Sequence, residues 1–132
     1  MGSMTQSLED YLETIHLLIK DTGSACVRDV ARSLGVKMPS VVKALHELKG
    51  LELVTQEPYS SIELTKKGER LAKSVLARHE LLKSFLLSLG VASDTADEDA
   101  CRMEHILSAE TLDKIRTYIK YHSKKRSKRS YN

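Results

Sequence analysis

The chain is poor in the residues that mark special classes of protein. It has two Pro and six Gly in 132 residues, too few for a low-complexity or fibrous chain. It has no Trp and one Phe, and aromatics make up 5% of the total, which leaves little for stacking unpaired bases. Its uncharged apolar runs, Leu17–Ile19 and Phe85–Val91, are too short to span a bilayer. No basic stretch followed by an apolar one opens the chain, so no secretory signal is expected. The two cysteines, Cys26 and Cys101, stand far apart and form no C-x-x-C pair. With enough apolar residues for a core, that usage points to a reducing, cytoplasmic setting.

Charge is present in quantity and is unevenly spread along the chain. There are 21 basic and 18 acidic residues, a formal net of +3. Five of the basic residues, Lys124, Lys125, Arg126, Lys128 and Arg129, lie near the end. Without them the count is 16 basic against 18 acidic. This run reads as a disordered, solvated tail over 123–132 or as an arm attracted to phosphate. Met1-Gly2-Ser3 ahead of Met4 resembles an expression remnant and is set aside.

Apolar spacing organises the rest. Leu8, Leu12, Ile15 and Ile19 recur at helical intervals from about Ser7 to Asp21, with Ser7 and Asp10 placed as a capping box. Gly23 ends that helix. Val27, Val30, Ala31 and Leu34 mark a short second helix stopped by Gly35. Pro39 suits the first turn of a third, with Val41, Val42, Leu45 and Leu48 as its apolar face and Gly50 beyond it. Leu51–Thr55 and Ile62–Leu64 alternate like short strands around a turn at Pro58–Ser61. Thr65 caps a long fourth helix running toward Gly90. Ser93 or Thr95 caps a fifth through Leu107, and Ser108 a sixth with Leu112, Ile115, Tyr118 and Ile119 inward.

Three short helices followed by a hairpin make a mainly helical chain that begins with a winged helix-turn-helix, over residues 4–73. A helical second domain follows over 74–122. The tight turn Gly35–Met38 lets the third helix project into a major groove. Lys37, Pro39, Ser40 and Lys43 stand at its start. Ser40 and Lys43 reach bases or phosphates, and Lys49, Tyr59 and Ser60 meet the backbone at the wing. Double-stranded DNA is therefore the expected partner.

A second pattern concerns metal. Cys101, Glu104 and His105 are spaced i, i+3, i+4, so a thiolate, a carboxylate and an imidazole share one helix face, which borders the core because Met103, Ile106 and Leu107 are expected to look inward. Asp10 and Glu13 are paired on the first helix, and His79-Glu80 interrupts the apolar stripe of the fourth. Nitrogen, sulfur and oxygen donors together suit Fe(II), Co(II), Ni(II) or Zn(II), and the carboxylates admit Mn(II). Cys26 has no such company and is expected to be a small buried residue.

Asp10-Tyr11-Leu12-Glu13-Thr14-Ile15, Arg78-His79-Glu80-Leu81-Leu82 and Glu98 through Ser108 resemble the diphtheria toxin repressor and manganese transport regulator family of bacterial repressors. The resemblance covers residues 7–121. It implies a transcriptional repressor of metal-homeostasis genes with Mn(II) or Fe(II) as corepressor. It also implies a homodimer joined through its C-terminal helices, a palindromic operator and no catalysis. It implies metal-ligand roles for Asp10, Glu13, His79, Glu80, Cys101, Glu104 and His105. Asp10, Glu13 and Glu80 follow the manganese branch, Cys101 follows the iron branch, and His79, Glu104 and His105 match both. Lys83 stands where the iron branch has a carboxylate, and that branch's SH3-like third domain is not expected. The alternative is a winged-helix regulator that does not sense metal. A metal-dependent hydrolase using Glu80 or Glu104 as base finds no nucleophile motif or Gly-rich loop to support it.

Overall fold

The computed structural model describes residues 5–129, with side chains described through His122. The Met1-Gly2-Ser3 remnant with Met4, and the last three residues of the 123–132 tail, lie outside the described residues. The chain divides into two compact units, Met1–Val75 and Leu76–Asn132.

In the first unit, helix α1 spans Gln6–Thr22. Its cap is Thr5, whose backbone is extended and whose Oγ1 accepts the Leu8 N–H at 3.1 Å. The helix thus begins before the capping box expected from Ser7 and Asp10, both of which lie inside it. A hydroxyl in extended backbone two residues earlier satisfies the free amide first. Leu8, Tyr11, Leu12 and Ile15 are buried along one face. Gly23 stops the helix at φ 89°, returning its N–H to Ile19 O at 2.9 Å. That left-handed turn favours glycine because it lacks a Cβ.

Helix α2, Val27–Leu34, and helix α3, Met38–Gly50, follow. Pro39 sits in the first turn of α3, where no amide proton is needed. Val41, Ala44, Leu45 and Leu48 are buried at i, i+3, i+4, i+7. Val42, expected inward, is 56% exposed. It lies one residue, a turn of about 100°, off the stripe that Val41 occupies. Cys26 is also exposed, against expectation. It stands at the cap of α2 in extended backbone, and its neighbour Ala25 takes the buried place.

The hairpin is shorter than its alternation implies. Strands β1 (Val54–Thr55) and β2 (Glu63–Leu64) pair antiparallel, Val54 with Leu64 and Thr55 with Glu63. Leu51–Leu53 are spent on leaving α3: Leu51 N bonds Glu47 O, Glu52 adopts φ 60°, and Leu53 N bonds Leu48 O. The Ile62 N–H donates to Ala25 O at 2.8 Å, so this residue ties the hairpin to the segment before α2.

Helix α4, Lys66–Ser88, opens on Thr65, whose Oγ1 accepts the Gly68 N–H at 3.0 Å and donates to Glu52 O at 2.7 Å. The division between units falls within α4. In the second unit, Leu82 and Leu86 pack with Ala96 and Ala100 of helix α5 (Ser93–Met103) and Leu112 of helix α6 (Ala109–Arg129). The small alanines let helices approach closely. Helix α5 starts from Ala92 with no side-chain cap, where Ser93 or Thr95 was expected, and ends four residues before Leu107. Ile106 follows that end in a tight turn, its N–H bonded to Met103 O, and is 72% exposed rather than inward. Ser108 Oγ accepts the Thr111 N–H at 3.2 Å, as a cap for α6 requires. Tyr118 is exposed on α6, although helical counting places it on the inner stripe. Backbone helix continues to Arg129 through the run expected to be a disordered tail. Lys and Arg are good helix formers, and cations near a helix C-terminus interact favourably with its dipole.

Candidate metal centre and nucleic-acid interface

The first unit presents the DNA-reading groups. Lys37, Pro39, Ser40 and Lys43 are all exposed around the start of α3. Ser40, Lys43 and Glu47 line one side of a groove of about 380 Å³ whose other side is Thr5, Ser7 and Tyr11 of the α1 region. At the far end of α3, Lys49 Nζ donates to Gln56 Oε1 at 3.5 Å, and Gln56 Nε2 donates to Ser60 O at 3.2 Å. Tyr59 is fully exposed at φ 63° on the wing tip. The sequence reading missed Gln56, which links Lys49 to the wing. It also missed the exposed Val36, Met38 and Val42, apolar groups of the kind that contact thymine methyls. The exposure of Val42 is legible only once the helix stripe is phased on Leu45 and Leu48, whereas Val36 and Met38 stand before and at the start of α3.

Asp10 and Glu13 are both partly buried on α1, three residues apart and so on one helix face. Glu80 on α4 is exposed.

The second unit gathers the remaining donors around one carboxylate. Glu104 is the helix cap of α5 and fully buried. His79, from α4, places Nδ1 2.9 Å from Glu104 Oε2. His105, with an almost fully buried side chain, places Nε2 3.2 Å from Glu104 Oε1. Cys101 Sγ lies within 4.8 Å of a Glu104 carboxylate oxygen. Cys101 itself is exposed at the rim. Helix α5 ends at Met103, so Glu104 and His105 leave the helix in sequence and their side chains meet.

One further residue joins this group. His79 Nε2 is 2.9 Å from Asp97 Oδ1, which also receives Lys83 Nζ at 3.4 Å. The hydrogen bond from His79 holds the Asp97 carboxyl below the usual carboxylate range, and Lys83 adds to the effect. Sequence reading missed Asp97, though Asp97, Cys101 and Glu104 recur at i, i+4, i+7. In a run of acidic residues that spacing is easily taken for a solvated face.

Two imidazoles and a thiol each lie within reach of the buried Glu104 carboxylate, and these donor types suit a divalent transition metal. A carboxylate this deeply buried calls for a cation or protons beside it.

Residues 3–62 match the N-terminal DNA-binding domain of the iron dependent repressors, and residues 65–129 match their metal-binding and dimerisation domain. The chain belongs to the iron dependent repressor family. Transcriptional regulator MntR of Escherichia coli O157:H7 is 41% identical over 118 residues, covering 89% of this chain and 76% of that protein. The HTH-type transcriptional regulator MntR of Bacillus subtilis strain 168 is 38% identical over 117 residues, covering 89% of this chain and 82% of the other. Among solved structures, the manganese regulator SloR superposes with a TM-score of 0.78 at 29% identity over 89% of this chain. The IdeR of T. acidophilum gives 0.74 at 30% identity over 90%. The chain spans 55% of the length of each of these two structures. As an iron dependent repressor the chain is in a family of DNA-binding regulators, not of enzymes. Among the described residues no helix is long and apolar enough to cross a membrane.

Proposed function

We propose that this chain is a metal-activated transcriptional repressor of metal-homeostasis genes, with Mn(II) or Fe(II) as the activating ion. The observation that carries the reading is the convergence of His79 and His105 on the buried Glu104 carboxylate, at 2.9 and 3.2 Å. His79, Glu104, His105 and Cys101 are the ligands from the second unit, and Asp10 and Glu13 those from the first. Glu80 is exposed and, among the described residues, belongs to no cluster of donors. When bound, the ion neutralises the carboxylates and ties the donors together.

Chain groups do the rest. Lys43, Ser40 and Lys37 meet the duplex through α3, and Lys49, Tyr59 and Ser60 through the wing. The family's dimerisation domain supports a homodimer and, with it, a palindromic operator whose half-sites lie about 34 Å apart. Metal activation is a coupling between two binding events, so DNA and metal tighten each other's binding by the same factor. The thiolate of Cys101 is softer than a carboxylate and favours Fe(II), Co(II) or Zn(II) over Mn(II).

Calorimetric titration of the metal-free chain with Mn(II), Fe(II) and Zn(II) tests this reading. Stoichiometric binding, abolished in Glu104→Ala and His105→Ala, is expected. A wild-type chain that takes up none of the three supports the rival, a winged-helix regulator indifferent to metal.

A further inference from the structure

Resting on the metal-site reading, we propose that Asp97 is a positioning residue, fixing His79 with its proton on Nε2 and leaving Nδ1 to a cation at Glu104. The argument is geometric. Both nitrogens of the His79 ring are engaged, Nε2 with Asp97 Oδ1 and Nδ1 with Glu104 Oε2, each at 2.9 Å. The two carboxylates differ in kind. Asp97 is 56% exposed at its side chain and has the Lys83 ammonium 3.4 Å away, so it is an ionised acceptor in contact with water. Its partner nitrogen must therefore donate, which puts the proton on Nε2. Glu104 lies on the opposite side of the ring, fully buried, with His105 on its other oxygen. A neutral imidazole protonated at Nε2 turns its lone pair toward this side.

The ring is thus held by an outer carboxylate while its inner nitrogen faces the donors. Carboxylates placed behind a metal-bound imidazole fix tautomer and ring orientation and raise basicity, and their loss typically costs 10–100-fold in metal affinity. Lys83 has a matching role. It helps keep Asp97 charged from beside the same Oδ1 that meets the ring, which strengthens that oxygen's claim on the Nε2 proton.

The test uses the full chain with Zn(II), a diamagnetic probe. Nitrogen-15 NMR of the His79 ring in the Zn(II)-loaded protein should show a protonated Nε2 and a shifted, unprotonated Nδ1. Chelator competition should show Zn(II) affinity at least about tenfold weaker in Asp97→Ala. Asp97→Asn, whose Oδ1 still accepts from Nε2, should keep the wild-type ring pattern and recover most of the affinity. The proposal is overturned if wild-type Nε2 is unprotonated, or if Asp97→Ala matches wild type in both affinity and ring resonances. Should Asp97→Ala fail to fold by circular dichroism, the wild-type ring spectrum and Asp97→Asn decide the matter alone. A wild-type chain that binds no Zn(II) at all would instead count against the metal site as a whole.

Discussion

Gly68 offers a quantitative check on how the wing is joined to α4. It lies in the first turn of that helix, where replacing Gly by Ala ordinarily stabilises by about 1 kcal/mol. Here the sign should reverse. A Cβ at Gly68 would stand 1.9 Å from the Leu53 carbonyl oxygen, 2.9 Å from its carbon and 3.2 Å from its Cα. All three are backbone atoms of the segment entering β1, so no rotamer change relieves the contact. Helix and wing must separate by more than an ångström. That opening strains the hydrogen bond from Thr65 N–H to Leu53 O at 3.1 Å and the one from Thr65 Oγ1 to Glu52 O at 2.7 Å. Overpacking of this kind costs about 1–3 kcal/mol, and each weakened hydrogen bond a further 0.5–1.5 or so. After the propensity gain, Gly68→Ala should destabilise the first unit by about 1–5 kcal/mol. Urea unfolding followed by circular dichroism reads this directly as a lower midpoint at unchanged slope. A variant as stable as wild type or more so would refute the close approach of α4 to Leu53.

Three more perturbations bear on function. Glu104→Ala removes the carboxylate shared by His79 and His105 and should abolish metal-dependent DNA binding, as read by fluorescence anisotropy; retained metal response would remove Glu104 from the site. Lys43→Ala should weaken operator binding, lower the salt slope by about one, and leave metal affinity within twofold or so in calorimetry; a large loss of metal affinity would contradict its role in meeting DNA. Cys101→Glu replaces a soft donor by a hard one and should shift the ratio of Mn(II) to Zn(II) affinity toward Mn(II); an unchanged ratio would take the thiol out of the coordination shell.

Much of this architecture is legible in the chain because its helices are amphipathic. The stripes Leu8–Leu12–Ile15 and Val41–Leu45–Leu48 name the faces that end up buried, and Gly23 and Gly35 stop their helices with left-handed turns. Thr65 and Ser108 are capping hydroxyls in the structure as in the sequence. What periodicity misses is whatever depends on where an element stops. Helix α5 ends at Met103, so Ile106 turns outward, and the i, i+3, i+4 face drawn through His105 is a helix cap and the residue after it. The hairpin loses Leu51–Leu53 to bonds that finish α3, and Ile62 to a bond with Ala25, a contact distant enough in sequence to leave no local signature. Cys26 is outside the core because its backbone is extended at a helix start, a fact its residue type does not carry. The metal donors are the reverse case. Their residue types are conspicuous, but Asp97 becomes visible only when the His79 ring is seen to have two sides.

The most direct test of the account is the coupling itself. A duplex selected by this chain from a random pool in the presence of Mn(II) would be titrated with the chain at buffered free Mn(II), at buffered free Fe(II), and in excess chelator. The account predicts operator affinity at least about fivefold tighter with one or both metals, the low end of ordinary coupling between two sites. Equal affinity in metal and in chelator would contradict it.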